Sequence, residues 1–303
     1  MLRLGVVCAV VDDEGRLLLS QRGDLGVWGL PGGRLDAGER LDAAAAREVL
    51  EETGVVVRVE RAVGLYYLDG WGRMNILFAG WPLGGALQAR TDEARANAYF
   101  AADDLPQMPL DIMALDALAE TRHKPRVITT PRAELRRLRL KLARRWVGNW
   151  LRGRREARFP RFDVRAVGII LSEDGRRVLT IDGGDGLRAL PRVVCDGDLP
   201  PWEALTAALR ALCRDSLAFR WTGVWQDAGR DRLEFVFAAT AAEHSLKDGA
   251  LWSPMRNTTL IDRDAAYIEH VKPSYAVDPV WTLYETHQPQ LGAMITLQKE
   301  KKA

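Results

Sequence analysis

The sequence predicts a mixed α/β protein built from two related domains joined by a basic helical connector. Three observations support this prediction. Short apolar runs that end in glycine-containing turns occur together with helix-like segments, several of these runs recur in the same order after about 160 residues, and a strongly cationic segment separates the two copies. The 303 residues, of which 47% are apolar, suffice for two hydrophobic cores.

An internal repeat is the clearest evidence for two domains. Residues 6–19 are echoed by residues 167–179, with Gly15 matching Gly175 at an offset of 160, and residues 73–79 recur as residues 232–238 at an offset of 159. Both copies of the first motif predict a strand, an acidic turn with glycine and a second strand. We therefore expect a catalytic domain at residues 1–123, a basic amphipathic helical linker at 124–163, a degenerate second domain at 164–290 and a C-terminal tail at 291–303.

The first domain contains an unusual cluster of glutamates. A helix is predicted over residues 41–53, with Gly54 as its left-handed cap residue. Glu48, Glu51 and Glu52 then share one face of its last turns. There the negative end of the helix dipole repels all three carboxylates, and Glu48 and Glu52 form a like-charge pair. A hard divalent cation is the simplest compensation, because it binds carboxylate oxygens and keeps positions open for water and phosphate.

A glycine-rich turn precedes this helix at a fixed spacing. Gly32 and Gly33 end a short apolar strand, and their backbone can approach a metal or a phosphate without obstruction by side chains. Glu39 follows after five intervening residues, and the segment Arg47-Glu48-Val49-Leu50-Glu51-Glu52-Thr53-Gly54-Val55 follows after seven more. This pattern resembles the Nudix box at each of its defined positions, so the first domain resembles a Nudix hydrolase.

The resemblance implies tandem Nudix folds of the α/β/α sandwich type with a mixed β-sheet. It also implies Mg²⁺-dependent cleavage, with Mn²⁺ as the alternative ion, of a nucleoside diphosphate linked to another group. The substrate is then an ADP-ribose-type nucleotide sugar or a nucleoside triphosphate. Glu48, Glu51 and Glu52 match the metal-binding glutamates of the family, and the Gly32 carbonyl matches a backbone ligand. Glu48 is the first choice for the base that activates water, and Glu52 is the second.

Four further residues complete the predicted site. Arg47 and Glu39 match family positions that hold the loop and the helix together by ion pairing, so we expect their replacement to cause structural rather than chemical loss. Arg22 follows a strand and is predicted to meet a phosphate, with a surface arginine as the alternative. Glu93 lies on a loop and is predicted to reach the metal site, with an exposed loop acid as the alternative.

The second copy lacks these carboxylates. Aligning the two copies sets Arg192 against Gly32, and sets Cys213 and Arg214 against Glu51 and Glu52. Cations and a thiol do not assemble an oxygen cage for magnesium. We expect a Nudix-like domain without hydrolase activity that serves as a scaffold or dimerisation domain, which makes a homodimer one predicted assembly. The alternative is that its arginines hold a nucleotide phosphate.

The connector is strongly basic. Between Lys124 and Arg165, 15 lysines and arginines stand against three acids, which gives this segment a net charge of +12 in a chain whose total is +2. Residues 132–155 carry leucines and tryptophans at helical spacing, which predicts an amphipathic helix. Three interpretations of this helix stay open: it docks between the two domains, it lies on an anionic membrane, or it contacts RNA. The last alternative leads to a second hypothesis, a nucleotide-sensing or nucleic-acid-binding protein.

Cysteine usage and hydropathy set the expected compartment. Cys8, Cys195 and Cys213 are widely spaced, which argues against a disulfide framework and against a zinc site. Acidic residues from Asp12 onward interrupt the N-terminal apolar stretch too early for a signal peptide, and no apolar run is long enough to span a bilayer. We expect a cytoplasmic protein, with peripheral membrane association through residues 132–155 as the alternative.

Overall fold

The computed structural model divides the chain into two compact units. One comprises Arg3–Arg161, and the other comprises Met1–Leu2 together with Phe162–Ala303; they are called the first and second unit. The predicted tail at 291–303 lies outside the described residues. The structure describes residues 1–119, 125–151, 159–214, 217–243, 246–247, 249–255, 258–271 and 281–285.

Strands and helices of the first unit follow one another in a mixed order. They are β1 (Arg3–Val10), β2 (Leu17–Arg22), β3 (Trp28–Gly29), β4 (Gly32–Arg34), α1 (Leu41–Thr53), β5 (Val55–Asp69), β6 (Arg73–Gly85), β7 (Ala94–Phe100), α2 (Asp111–Leu118), β8 (Arg126–Thr129) and α3 (Arg132–Leu151).

The first unit is an α/β/α sandwich, as predicted. Its main sheet has the order β4-β1-β6-β5-β8, in which β1 and β6 are parallel, β5 and β8 are parallel, and the other neighbours are antiparallel. Val7 and Ala9 of β1 share a core with Met113 and Ala117 of α2. Because side chains alternate along a strand, α1, which also packs on β1, covers the opposite face. A second sheet contains β3-β2-β7.

The predicted glutamate-bearing helix is confirmed. Helix α1 runs from Leu41 to Thr53, and Gly54 has a φ of 78°. This left-handed conformation suits glycine, and it lets the Gly54 N–H donate to the Leu50 carbonyl at 2.8 Å. The helix end and the start of β5 are thereby fixed within one residue.

The first sheet extends beyond the predicted boundary at residue 123. Strand β8, at Arg126–Thr129, pairs in parallel with β5, so residues that the sequence placed in the connector belong to the sheet. Four residues with two apolar side chains are too short a pattern to announce a strand. The connector helix is α3, and residues 152–155 of its predicted extent lie outside the described residues.

A buried polar group links α2, β5 and β8. The Tyr66 hydroxyl donates to Asp116 Oδ2 at 2.8 Å, and Arg126 donates to the same carboxylate from Nε at 2.7 Å and from Nη2 at 2.9 Å. Tyr66 and Asp116 are buried.

We expect Tyr66→Phe to lower the free energy of unfolding by about 1–2 kcal/mol, because the buried Asp116 carboxylate loses one of its donors. Urea denaturation measures this. In the matched variant Tyr99→Phe, which removes a hydroxyl from a half-buried ring on β7, the change should stay within about 0.5 kcal/mol. Equal losses in the two variants would contradict the role given to the buried hydrogen bond.

The second unit has the following elements: β9 (Asp163–Ser172), β10 (Arg177–Gly184), β11 (Leu187–Ala189), β12 (Arg192–Val194), α4 (Pro201–Leu209), β13 (Arg220–Asp227), a 3₁₀ turn (Ala228–Arg230), β14 (Arg232–Ala241), β15 (Leu251–Pro254), α5 (Asp262–Glu269) and β16 (Trp281–Glu285).

Strand connectivity in the second unit repeats that of the first. The order β12-β9-β14-β13-β16 corresponds to β4-β1-β6-β5-β8, with the same parallel and antiparallel pairs. Likewise β10 pairs with β11 and β15 as β2 pairs with β3 and β7. Arg3 pairs with Arg73 in the first unit, and Asp163 pairs with Arg232 in the second, which reproduces the offsets of 160 and 159.

The second unit departs from the first where the glutamates would lie. Helix α4 ends at Leu209, so Cys213 and Arg214 follow the helix instead of lying on it. Arg192, which replaces Gly32, forms ion pairs with the buried carboxylates of Asp264 and Glu234. The position that corresponds to Gly32 is therefore occupied by an arginine that is held in the unit's own ion pairs.

Candidate active site

Two glycines bring the loop before α1 into contact with the neighbouring backbone and helix. Gly32 and Gly33 in β4 pair with Val7 and Val6 of β1. A Cβ atom at Gly32 would overlap the Val6 carbonyl oxygen, and one at Gly33 would overlap the Glu48 carboxylate. Only glycine therefore allows this close approach, and it places the loop backbone directly against the glutamates of α1.

We expect Gly33→Ala to reduce turnover by about 10²-fold or more, because the new methyl group must displace the Glu48 carboxylate. The matched control is Gly29→Ala, since a Cβ at Gly29 has nothing within 4 Å. Steady-state hydrolysis assays compare the two variants. Full activity in Gly33→Ala would show that Glu48 need not occupy its observed position.

Glu48 and Glu52 are a buried pair on adjacent turns of α1, each with 8% of its surface exposed. Glu52 Oε2 accepts a hydrogen bond from the Gly32 N–H at 3.3 Å. Burial raises the pKa of Glu52 to about 7, and the neighbouring Glu48 charge adds to this rise. Burial also raises the pKa of Glu48, against the lowering effect of Arg47. The local structure thus disfavours the charged forms of both carboxylates.

Arg47 holds the glutamates and the loop together. It donates from Nε and Nη2 to Glu39 at 2.8 and 3.0 Å, and from Nη1 to Glu48 and to Glu51, both at 2.9 Å. Its Nη2 also donates to the Arg34 carbonyl at 3.2 Å. These hydrogen bonds raise the pKa of Arg47, with Glu39 as the main cause. These contacts join the loop to the helix, and the structural role of Arg47 and Glu39 stays a prediction.

The predicted metal ligands are gathered only in part. Glu48, Glu52 and Gly32 lie together, whereas the Glu51 side chain is 50% exposed and is bound to Arg47. Within the described ranges, no three acidic, cysteine or histidine side chains converge as a preformed metal cage.

The residues present nevertheless fit a divalent cation. Hard ions such as Mg²⁺ prefer oxygen donors and usually bind proteins through one or two carboxylates. Glu52 provides a buried carboxylate that forms no ion pair in the described part of the chain, beside a second carboxylate of the same sign. The residues that would hold the ion are Glu48, Glu52 and the Gly32 carbonyl, joined by Glu51 if its side chain leaves Arg47.

Arg22 and Glu93, the two predicted substrate contacts, lie at the rim of this site. Arg22 donates to Asp24 at 3.0 and 2.9 Å, which is the main cause of its raised pKa, and the charges of Glu52 and Glu93 also act on it. Glu93 is exposed and lines an open depression with Glu51, Gln88, Arg90, Thr91 and Asp92.

Sequence reasoning missed the residues that fix the end of α1. Asn97 donates from Nδ2 to the Glu52 carbonyl at 2.7 Å, and the Thr91 hydroxyl donates to the same oxygen at 3.2 Å. The Gln88 N–H donates to the Thr53 carbonyl at 2.9 Å. These donors satisfy carbonyls that a helix leaves free at its C-terminus. The sequence signal for Asn97 is a polar residue at a buried position of strand β7.

Comparison with known proteins agrees with this geometry. The NUDIX domain profile matches residues 1–119. A MutT-like protein of Streptomyces ambofaciens is 36% identical over 118 residues, which are 38% of this chain and 76% of that protein. A putative 8-oxo-dGTP diphosphatase of Bacillus subtilis (strain 168) is 34% identical over 102 residues, or 34% of this chain and 68% of that protein. The CTP pyrophosphohydrolase of Escherichia coli (strain K12) is 31% identical over 132 residues, or 40% of this chain and 96% of that protein.

The chain belongs to the Nudix family. As a Nudix hydrolase it acts on phosphoanhydride bonds, and enzymes of this family generally use divalent metal ions. Apart from residues 1 and 2, the family match falls within the first unit, where Gly32, Gly33 and the α1 glutamates lie. The sequence prediction of a Nudix hydrolase is therefore confirmed for this unit.

Proposed function

We propose that the first unit is a Mg²⁺-dependent pyrophosphohydrolase, with Mn²⁺ as the alternative ion. It cleaves a nucleoside diphosphate linked to another group. Of the two substrate classes that the sequence leaves open, the nucleoside triphosphates receive support from two relatives named for 8-oxo-dGTP and CTP. ADP-ribose-type nucleotide sugars are the second class.

One observation carries this proposal: the buried, like-charged Glu48 and Glu52 lie against the glycine loop. A metal ion bound there supplies charge neutralisation for the pyrophosphate and a more acidic water. Glu48, our first choice for the base, has Oε1 held by Arg47 while its carboxylate lies against Gly33. Glu52, the second choice, accepts from Gly32 and therefore also ties the loop to the helix.

A substrate panel tests the proposal. Nucleoside triphosphates, ADP-ribose and UDP-glucose are incubated with the enzyme and Mg²⁺, and the products are identified by mass spectrometry in ¹⁸O-labelled water. We expect a nucleoside monophosphate among the products and one labelled phosphate per cleavage. Release of the distal phosphate alone, or no turnover of any compound with either ion, would refute the assignment.

We further propose that the second unit is a degenerate Nudix-like domain without hydrolase activity. Its shared strand connectivity supports the relationship, and the buried ion pairs of Arg192 support the loss of chemistry. A role of the second unit in dimerisation stays a prediction. Light scattering tests it by measuring the mass of the protein in solution.

Helix α3 exposes large apolar side chains from its middle to its C-terminal end, which supports the predicted contact surface. Near its middle, Arg139 donates to the Gly70 carbonyl at 2.7 Å, whereas Leu140, Trp150 and Leu151 are 55%, 67% and 72% exposed. Anionic membrane or RNA binding through residues 132–155 stays a prediction, to be separated by vesicle and RNA binding at one salt concentration. In the described part of the chain, no helix is both long and apolar enough to cross a membrane. Cys8, Cys195 and Cys213 are buried thiols, which suits the proposed cytoplasmic location.

A further inference from the structure

The two units place different charges at equivalent positions of their central parallel strands. Strands β1 and β6 pair Arg3 with Arg73, whereas β9 and β14 pair Asp163 with Arg232. In the second unit, Arg232 Nε donates to Asp163 Oδ2 at 2.8 Å, so the two charges compensate each other. In the first unit both positions are cations, and neither forms an ion pair within the described residues.

Arg73 lies against the catalytic loop with neutral partners. Its Nη2 donates to the Gly33 carbonyl at 3.1 Å, and its Nε donates to Asn75 Oδ1 at 3.0 Å. The pKa of Arg73 is lowered to about 10, mainly by burial and also by the positive charges of Arg22 and Arg3, while the negative charge of Glu48 acts in the opposite direction. Within the described residues, this guanidinium therefore has neutral hydrogen-bond acceptors and no ion pair.

One aromatic ring holds the two guanidinium groups side by side. The Cζ atoms of Arg3 and Arg73 lie 5.3 and 5.9 Å from the centre of the Phe159 ring. This distance suits a cation–π interaction, which orients both groups without neutralising them. Arg3 is exposed and Arg73 is partly exposed, so a ligand can approach the pair from the side of Arg3.

A neighbouring position shows the same loss of negative charge. Asn75 follows Arg73 by two residues, just as Glu234 follows Arg232. Glu234 is fully buried and binds Arg263 at 2.8 Å and the Tyr267 hydroxyl at 2.9 Å. The second unit thus has carboxylates at two positions where the first unit has Arg3 and the neutral Asn75.

We propose that Arg3 and Arg73 form an anion subsite that binds a terminal phosphate group of the substrate. Guanidinium groups form charge-assisted hydrogen bonds with phosphate oxygens, and a bound phosphate supplies the compensation that Asp163 gives Arg232. Arg73 contacts Gly33, which itself touches Glu48, so a polyphosphate chain can span the subsite and the carboxylate pair. This inference rests on the proposed function and narrows it to substrates that end in a phosphate, such as nucleoside triphosphates.

The variant Arg3→Asp tests the subsite, because it copies the ion pair of the second unit. The probes are methylene-bridged analogues of a nucleoside triphosphate and of UDP-glucose, whose distal group is uncharged. In equilibrium binding with Mg²⁺, we expect about tenfold weaker binding of the triphosphate analogue and less than twofold change for the UDP-glucose analogue. Arg58→Asp is the control, because it makes the same charge change at a distant position. Arg58 pairs with Trp81 of β6, and Trp81 lies about 26 Å along that strand from Arg73, the pairing partner of Arg3.

Unchanged triphosphate affinity in Arg3→Asp, or an equal loss for both analogues, would overturn the subsite. If Arg3→Asp fails to fold, Arg3→Gln at this exposed position gives the same comparison with a smaller expected loss. Hydrolysis by the unmodified enzyme is measured separately. Absence of turnover would refute the proposed function. A loss of affinity in Arg3→Asp that is confined to the triphosphate analogue would still establish the subsite.

Discussion

Replacing Glu52 with glutamine is expected to reduce turnover by about 10³-fold while the fold is retained. In the proposed function, Glu52 helps to hold the metal and to organise the reacting phosphate, so we expect removal of its buried negative charge to cause this loss. The side-chain oxygen of glutamine can still accept the hydrogen bond that the Gly32 N–H donates to Glu52 at 3.3 Å. The loop therefore keeps its contact with α1.

Two measurements separate chemistry from folding in this variant. Hydrolysis at saturating Mg²⁺ should show the loss in kcat, and urea denaturation should show stability equal to or above that of the unmodified protein, because a buried carboxylate is removed. Glu60→Gln is the matched control, since it neutralises a glutamate on β5 that pairs with Arg58. Undiminished turnover in Glu52→Gln would remove Glu52 from the metal site.

Replacing Arg47 with methionine is expected to lower the free energy of unfolding by about 2 kcal/mol. Methionine keeps the apolar part of the side chain but removes the hydrogen bonds to Glu39, Glu48 and Glu51. Hydrogen bonds to charged groups contribute about 1.5–3 kcal/mol, and partial exposure of Arg47 reduces their sum. Without this cation, the buried Glu48 carboxylate also repels Glu52 more strongly.

Urea denaturation tests this prediction against Arg40→Met. Arg40 forms a partly exposed ion pair with Asp42 at the start of α1, so we expect its replacement to cost less than about 1 kcal/mol. In Arg47→Met, activity measured well below the unfolding transition should fall by a smaller factor than in Glu52→Gln. Loss of turnover as large as that of Glu52→Gln, with unchanged stability, would assign Arg47 to the chemistry instead.

The parts of the site that the sequence predicted depend on local geometry. Helical periodicity places Glu48, Glu51 and Glu52 on one face whatever surrounds the helix, and Gly54 ends the helix through its own backbone conformation. The sequence offsets between the two copies also predict which residues pair. Arg3 pairs with Arg73 in the first unit, and the residues 160 and 159 positions later, Asp163 and Arg232, pair in the second.

What the sequence did not reveal depends on tertiary contacts. Asn97 reaches the end of α1 across 45 residues, and Arg73 reaches Gly33 across 40 residues, without a spacing rule that would connect them. Strand β8 is only four residues long and is recognised by its pairing with β5. Residue spacing alone does not decide whether the Glu51 carboxylate binds Arg47, as it does here, or the proposed metal ion.

Metal uptake tests the central claim most directly, namely that the buried pair Glu48 and Glu52 is compensated by a divalent ion. Mg²⁺ or Mn²⁺ is titrated calorimetrically into the unmodified protein and into the double variant Glu48→Gln/Glu52→Gln, each with a methylene-bridged triphosphate. We predict saturable uptake by the unmodified protein and its loss in the double variant. No uptake by the unmodified protein, or equal uptake by both, would contradict the account.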